Sequence, residues 1–572
     1  MNGAELLLKT LEDCGVDTIF GYPGGRVIKI YDELFKQNAI RHILPRHEQG
    51  AVHMAQGYSR STGKTGCVIV TSGPGATNTI TGINDAYIDS TPLVCIAGQV
   101  SLDLIGTDAF QEADTSGITR SIVKHNYLVT NIEDLESTIK EAFHLASSGR
   151  PGPVIIDLPS DIQAQLFDFQ GLTYEPRKSY KSVDDLDVVA KSKLDEAISL
   201  LERAEKPIIL AGGGIINSGK EACSLVRDFA DNLNMPITNT LMGKGAYPDD
   251  GKNSLRMLGM HGTYEANLAM YNADLIFAIG TKFSDRITGK IEEFAPNAKI
   301  VHIDIDAVTI NRVIPAYIGV VADAKDALSY MLENISMDKI DTIRENWWKE
   351  IEEFKAKDSA YYDKDSKFIK PEFVIERVSQ ITKEKNLDTI VATDVGQHQM
   401  WSAQYFSINE PNHWITSGGF GTMGFGLPAC IGASVANPNS QCICFTSEGS
   451  FQMNLQEMAT ASSYKIPVKI VLLNNSRLGM VRQWQELMFE ERYSETEFDA
   501  GALPDFQTLA KGFNANSTKV EKIEDLDAGI EAMLNSDKAF ILEVCVDPKE
   551  NVLPMMMPGK AHNEISLREK GE

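Results

Sequence analysis

Short apolar, β-branched runs alternate with longer stretches of helical period from one end of the chain to the other. This alternation predicts an α/β protein built from parallel sheets. Three blocks follow from it. The first spans residues 1–165, with strands expected at 18–21, 67–71, 93–97 and 154–157. The segment after it, QLFDFQGLTYEPRKSYKSVDD, loses the rhythm and reads as a linker. The second block spans 186–340, with strands at 207–210, 275–279 and 300–303. A charged helical stretch, IRENWWKEIEEFKAKDSAYYDKDS, leads to the third block at 370–548, with strands at 389–393, 441–446, 468–473 and 540–546. Residues 549–572, which include Met555–Met557, have no period and read as a packing tail or a closing lid.

Ligands of open α/β sheets sit beyond the carboxyl ends of the strands, so the turns there come first. GYPGG (21–25) and TSGPGATN (71–78) each follow a strand of the first block. Either can bring backbone N–H groups to a ligand, and either can be a tight strand–helix connection. In the third block TSEGSFQMN (446–454) and LLNNSRLGM (472–480) also follow strands, and Glu448 precedes Asn475 by 27 residues. One strand–helix–strand excursion is about that long, so both side chains can emerge at one sheet edge. A carboxylate and an amide oxygen there form a hard-oxygen pair suited to Mg²⁺, which bridges protein to phosphate.

Charge and composition narrow the partners. The formal charge of −25 over 572 residues argues against nucleic acid and anionic membranes, which need a basic face. No apolar run approaches the roughly 20 residues that span a bilayer. The opening MNGAELLLKTLEDCGVD reads as an amphipathic helix rather than a secretory signal, so a cytoplasmic protein is expected. The eight cysteines show no ligand spacing, and most fall in apolar runs as buried thiols.

The segments FGYPGG, RHEQGA, VTSGPGATN, IGTDAFQEAD, GRPGPV, MLGMHGTYEAN, DRITG, VGQHQMW, GFGTMGFGLP, SFQMNLQEMATA and MVRQWQ occur in this order. With Glu448-Gly449 and Asn474-Asn475 as a variant of the thiamine-diphosphate motif, the chain resembles the catalytic subunits of acetohydroxyacid synthases. The resemblance implies three doubly wound parallel-sheet domains that bind, in order, the pyrimidine ring, FAD and the diphosphate. It implies thiamine diphosphate, Mg²⁺ and FAD as cofactors, pyruvate and 2-oxobutyrate as substrates, a homodimer or homotetramer, and often a small regulatory subunit.

Residue by residue, Glu48 matches the group that hydrogen-bonds the pyrimidine, which helps a ring nitrogen act as internal base. Otherwise it only caps a helix starting at Gln49. Phe110 and Gln111 match residues at the reacting centre, with a helix-surface amide as the plain alternative for Gln111. Tyr22, Pro74, Asn78, Val395, Gly396, Gln397, His398, Met423, Gly449, Ser450 and Met480 match cofactor contacts. Glu448, Asn475 and Arg477 match the metal site, and Val481 and Trp484 the second-substrate wall. Gly212, Gly213, Gly214, Gly259, Met260, His261, Gly280, Lys282, Arg286, Asp304 and Asp323 match the flavin site.

The chain departs from the family pattern at several of these places. Ser447-Glu448 replaces Gly-Asp, Lys282 and Ser284 replace Arg and Asp, and Ser160 replaces a lysine. Arg26 stands where a small residue is usual, near the substrate, and can grip a carboxylate or narrow the pocket. The longer Glu448 arm implies a shifted or weaker Mg²⁺ site, and Ser447 can crowd a backbone approach left to glycine. Beside the carboligase, two readings stay open: a related thiamine enzyme with another acceptor, and a non-catalytic paralogue.

Overall fold

The computed structural model describes residues 1–168, 174, 186–498 and 501–569. Eighteen strands form three sheets of six, all parallel. The first sheet holds β1 (Thr18–Gly21), β2 (Arg41–Ile43), β3 (Gly66–Val70), β4 (Leu93–Gln99), β5 (His125–Leu128) and β6 (Pro153–Pro159). The second holds β7 (Pro207–Ala211), β8 (Ile237–Asn239), β9 (Ser254–Met257), β10 (Leu275–Ile279), β11 (Lys299–Asp304) and β12 (Ile318–Val321). The third holds β13 (Thr389–Thr393), β14 (Trp414–Ile415), β15 (Gln441–Ser447), β16 (Lys469–Asn474), β17 (Asn516–Val520) and β18 (Phe540–Cys545).

Strand order is the same in the first sheet, β2-β1-β3-β4-β6-β5, and in the third, β14-β13-β15-β16-β18-β17. The second differs: β12-β11-β10-β7-β8-β9, the order of a dinucleotide-binding sheet. All three reverse strand order near the centre, and the crevice there opens at the carboxyl ends. Alternate residues of the central strands feed separate cores. Ile19, Ile69 and Val94 face one layer, while Phe20, Val68 and Cys95 face another. This two-sided burial is what makes these strands continuous apolar runs.

The first and third sheets share a core, because helix Glu48–Thr62 lies against helix Gly426–Ala436. Glycine lets the two backbones meet. A Cβ on Gly57 would lie 1.9 Å from the Ala429 carbonyl oxygen, and one on Gly432 would lie 1.8 Å from that of Met54.

The charged stretch at 343–366 is more than a connector. Its helix Glu345–Lys355 buries Trp347 and Ile351 against the second sheet, and Trp347 Nε1–H donates to the Pro207 carbonyl at 3.1 Å. Trp347→Ala removes that packing and is expected to cost about 3–5 kcal/mol, read by urea unfolding. A change below about 1 kcal/mol would show that the helix is only tethered there.

The linker expected at 165–185 lies mostly outside the described residues. The C-terminal segment is packed: Met555 and Met556 are buried, Met556 N–H donates to the Met260 carbonyl at 2.7 Å, and His562 bonds the Ile287 carbonyl. All eight cysteines are free. Among the described residues no helix is long and apolar enough to cross a membrane.

Candidate active site

The first cluster gathers at the carboxyl ends of β1, β2 and β3. Helix Glu48–Thr62 starts one residue earlier than expected. Its N-cap is His47, whose Nδ1 accepts from the Gln49 N–H at 3.1 Å, so Glu48 is not the cap. The Glu48 carboxylate is instead free to turn sideways, where Asn78 Nδ2 donates to Oε2 at 2.9 Å. Tyr22 follows β1 and Pro74 opens the helix Pro74–Thr77 beside it.

Gln111 sits in a loop rather than on a helix, with φ +62°, and packs on Gly73. A Cβ on Gly73, whose φ is +59°, would lie 2.9 Å from the Gln111 carbonyl oxygen, so only glycine fits. Arg26 is anchored through its backbone, with N–H donating to Thr71 Oγ1 at 3.2 Å and C=O accepting from Gln163 Nε2 at 2.8 Å. Its guanidinium reaches the Phe110 carbonyl at 3.5 Å. The Phe110 ring itself is 81% exposed, leaving this rim open.

The second cluster lies at the carboxyl ends of β13, β15 and β16. Val395 and Gly396 follow β13, and Gln397 and His398 begin the helix Gln397–Tyr405. Ser450 Oγ donates to the Val395 carbonyl at 3.0 Å. Glu448 is fully buried and opens the short helix Glu448–Gln452 directly after β15. Its Oε1 accepts from the Arg477 N–H at 2.9 Å, and Asn475 Oδ1 accepts from the same N–H at 3.1 Å. The two oxygens therefore lie side by side, as the 27-residue spacing implied.

Glu448 Oε2 has no partner. Burial pushes the carboxyl up to about 7, and the backbone N–H groups around it, that of Arg477 among them, offset this only in part. An orphaned buried oxygen beside an amide oxygen is a place a divalent cation would satisfy. Among the described residues no cluster of three His, Cys, Asp or Glu could serve instead. Ser447 is extended, at φ −130°, so its backbone needs no glycine. His398 is buried with Nε2 unpartnered, and burial holds it down at about 3, hence neutral.

Met423 stands in a loop that two carboxylates of the first block hold. Asp85 Oδ1 accepts from Thr422 Oγ1 at 2.8 Å and from Ser417 Oγ, while Asp89 accepts from the Gly418 and Gly419 N–H groups at 2.9 and 2.8 Å. Arg60 balances both, 3.2 Å from Asp89 and 3.9 Å from Asp85. Asp394 accepts from the Gly424 N–H at 2.7 Å on the other side. Sequence reasoning missed Asp85, Asp89 and Asp394. An acidic pair four residues apart in an otherwise apolar stretch, and an aspartate ending an apolar strand, were the available signals.

The second block's candidates also collect at carboxyl ends: Gly212–Gly214 after β7, Gly280 and Lys282 after β10, Asp304 on β11, Asp323 after β12 and Gly259–His261 after β9. Backbone contact explains part of the glycine triplet, since a Cβ on Gly212 would lie 2.0 Å from the Gly280 carbonyl oxygen. Asp323 caps helix Ala324–Asn334, and burial pushes Asp304 up to about 6. Arg286 pairs with Asp285 in the open. Lys282 Nζ donates to the Ile88 carbonyl at 2.7 Å beside Asp89, so its charge ties the second block to the first. Met260 and His261 are buried under the C-terminal segment, and the Gln404 amide donates to the His261 carbonyl at 3.0 Å.

Among the described residues no hydrogen bond or ion pair joins the Glu48 cluster to the Glu448 cluster. Residues on helix Gly479–Met488 flank the latter, with Val481 half exposed and Trp484 partly covered.

Two sheets of one strand order, separated in the chain by a third of another order, fall in the class of thiamine pyrophosphate enzymes. The family "Thiamine pyrophosphate enzyme, N-terminal TPP binding domain" matches residues 1–118, the "central domain" 194–331 and the "C-terminal TPP binding domain" 394–544. The acetolactate synthase large subunit of Haemophilus influenzae is 47% identical, covering 100% of this chain and 99% of its own. The Escherichia coli isozyme 3 large subunit is 44% identical over 99% and 98%, and the Lactococcus lactis large subunit 42% over 99% and 96%. The chain belongs to the acetolactate synthase large-subunit family of thiamine pyrophosphate enzymes.

Proposed function

We propose that this protein decarboxylates pyruvate and transfers the remaining two-carbon unit to a second 2-oxo acid, pyruvate or 2-oxobutyrate. The product is acetolactate or its ethyl homologue, feeding isoleucine and valine synthesis in the cytoplasm. The observation that carries the site reading is the unpartnered, buried Glu448 oxygen beside Asn475 Oδ1. Glu448, Asn475 and Arg477 are the residues that would hold Mg²⁺, and the N-terminus of helix Gln397–Tyr405, which no side chain caps, would take the diphosphate. When bound, thiamine diphosphate supplies a carbon nucleophile and accepts the electron pair left by departing carbon dioxide.

The chain's own residues do the rest. Glu48 holds a proton at a pyrimidine nitrogen, with Asn78 keeping its carboxylate in place. Gln111 donates to a substrate carbonyl oxygen, and its strained loop keeps the amide from drifting. Met423 lies beside Gly449 and would support the rings of the bound cofactor. Arg26, Met480, Val481 and Trp484 bound the acceptor. Tyr22 and Phe110 form the outer rim.

That no hydrogen bond or ion pair among the described residues joins the Glu48 and Glu448 clusters fits a site completed by a second copy, with a homodimer as the smallest active form. A tetramer is two such pairs. The relatives' "large subunit" names fit a small regulatory partner. We assign the pyrimidine-binding unit to residues 1–165, the FAD-binding unit to 186–340 and the diphosphate unit to 370–548, with 549–572 as the tail. The strand order of the second sheet, with Asp304 and Asp323 at its carboxyl edge, fits a dinucleotide such as FAD.

Purified protein given pyruvate, thiamine diphosphate and Mg²⁺ is expected to form acetolactate, and omitting cofactor or metal to abolish it. Carbon dioxide release without acetolactate would mean a different acceptor. Neither product would mean a non-catalytic chain.

A further inference from the structure

Asn475 can serve a cation only through its oxygen, and an amide side chain can present nitrogen at the same place by a half-turn. Four backbone groups at the edges of a buried chain of amides decide which. Val552 bonds Gln483 twice: its N–H donates to Oε1 at 2.8 Å and its C=O accepts from Nε2 at 3.1 Å. That double bond fixes Gln483, whose Nε2 also faces the Met555 sulfur at 3.4 Å. Gln483 Oε1 then accepts from Gln397 Nε2 at 2.9 Å, and the Glu550 carbonyl accepts from the same nitrogen at 2.9 Å. Turning Gln397 over would set its oxygen against two acceptors.

Gln397 Oε1 is thereby pointed at Asn475 and accepts from its Nδ2 at 3.4 Å. The remaining atom, Asn475 Oδ1, faces the Arg477 N–H beside Glu448. No other assignment of the three amides satisfies every neighbour. Gln483 is fully buried, Gln397 and Asn475 nearly so, and a partner lost here is not replaced by solvent. Gly479 keeps the junction clear: a Cβ there would lie 2.1 Å from Gln397 Oε1 and 2.8 Å from Asn475 Nδ2. The relay begins in the C-terminal segment, which Arg482 also grips through the Glu550 carbonyl at 2.8 Å.

We propose that Gln483 is a positioning residue, which through Gln397 sets the amide orientation of Asn475 so that oxygen, not nitrogen, faces the cation beside Glu448. This rests on the Mg²⁺–thiamine diphosphate reading of the site. The relay makes the C-terminal segment part of the metal site without touching it. Removing Gln483 leaves the Glu550 carbonyl alone to hold Gln397 Nε2, and the bias that Gln397 puts on Asn475 weakens.

The test is the Mg²⁺ affinity of the full-length protein at saturating thiamine diphosphate, by titration calorimetry, in four proteins. These are wild type, Gln483→Leu, Asn475→Asp and the double variant. Gln483→Leu is expected to weaken Mg²⁺ by about 10–100-fold, the usual effect of losing a group that orients a ligand. A carboxylate presents oxygen whichever way it turns. In the Asn475→Asp background the same leucine is therefore expected to change affinity by less than about threefold, well below that range. Unfolding midpoints of the apo proteins identify any variant that fails to fold, and Gln483→Met then replaces the leucine. An equal loss in both backgrounds, or no loss in either while wild type binds, overturns the proposal. Failure of wild type itself to bind thiamine diphosphate with Mg²⁺ overturns the site reading and the proposal with it.

Discussion

Glu48→Gln is expected to lower kcat for acetolactate formation by about 10²–10⁴-fold, the range for a lost proton-handling group, while thiamine diphosphate still binds. The substitution keeps the shape of the side chain and removes only its ability to hold and exchange a proton. Its amide oxygen can still accept from Asn78 Nδ2. The helix does not depend on it, because His47 is the cap, so the unfolding midpoint should hold. Steady-state rates with pyruvate, paired with calorimetric cofactor binding, separate the two effects. A variant that keeps turnover within a few-fold would remove Glu48 from the chemistry and leave it a surface carboxylate at a helix start.

The second large effect is on stability. Gly57→Ala and Gly432→Ala each gain about 1 kcal/mol in intrinsic helix preference. Each also drives a methyl group to within 2 Å of a carbonyl oxygen on the facing helix, at 1.9 Å from Ala429 and 1.8 Å from Met54. Backbone on both sides cannot rotate away as a side chain would, so the helices must part. The expected net loss is about 3 kcal/mol, at the upper end for overpacking. Because one interface absorbs both, the double variant should lose less than the sum. Denaturant unfolding measures this directly, and increased stability in either single variant would show that the close approach is relaxed in solution. Activity should fall too, since Glu48 begins the helix being displaced.

Which strands were legible follows from where they sit. The runs expected at 18–21, 67–71, 93–97 and 154–157 correspond to β1, β3, β4 and β6, the four central strands of their sheet. The third sheet repeats this, with β13, β15, β16 and β18 found and β14 and β17 missed. The missed strands β2, β5, β12, β14 and β17 are sheet edges, covered on fewer sides: β2, β5 and β17 carry no continuous apolar run, and β12 and β14 are only four and two residues long. β9 is also an edge, and β8 beside it is only three residues long. The register of Glu448 with Asn475 was legible because one crossover has a nearly constant length. The cap at His47 was not, since histidine carries no strong capping signal.

By itself the sequence determined the α/β class, the central strands of the first and third sheets and three of the four in the second, the carboxyl-end turns and the pairing of Glu448 with Asn475. Each depends on local periodicity or on the length of one crossover, both written along the chain. Only the tertiary structure decided that helices Glu48–Thr62 and Gly426–Ala436 share one core, and that Asp85 and Asp89 hold the Met423 loop. It alone decided that Lys282 spends its charge on Ile88, and that Val552 reaches Asn475 through two glutamines. These contacts join residues far apart in sequence, and an isolated glutamine or lysine has no pattern that names its partner. Their geometry exists only once the three sheets are packed together.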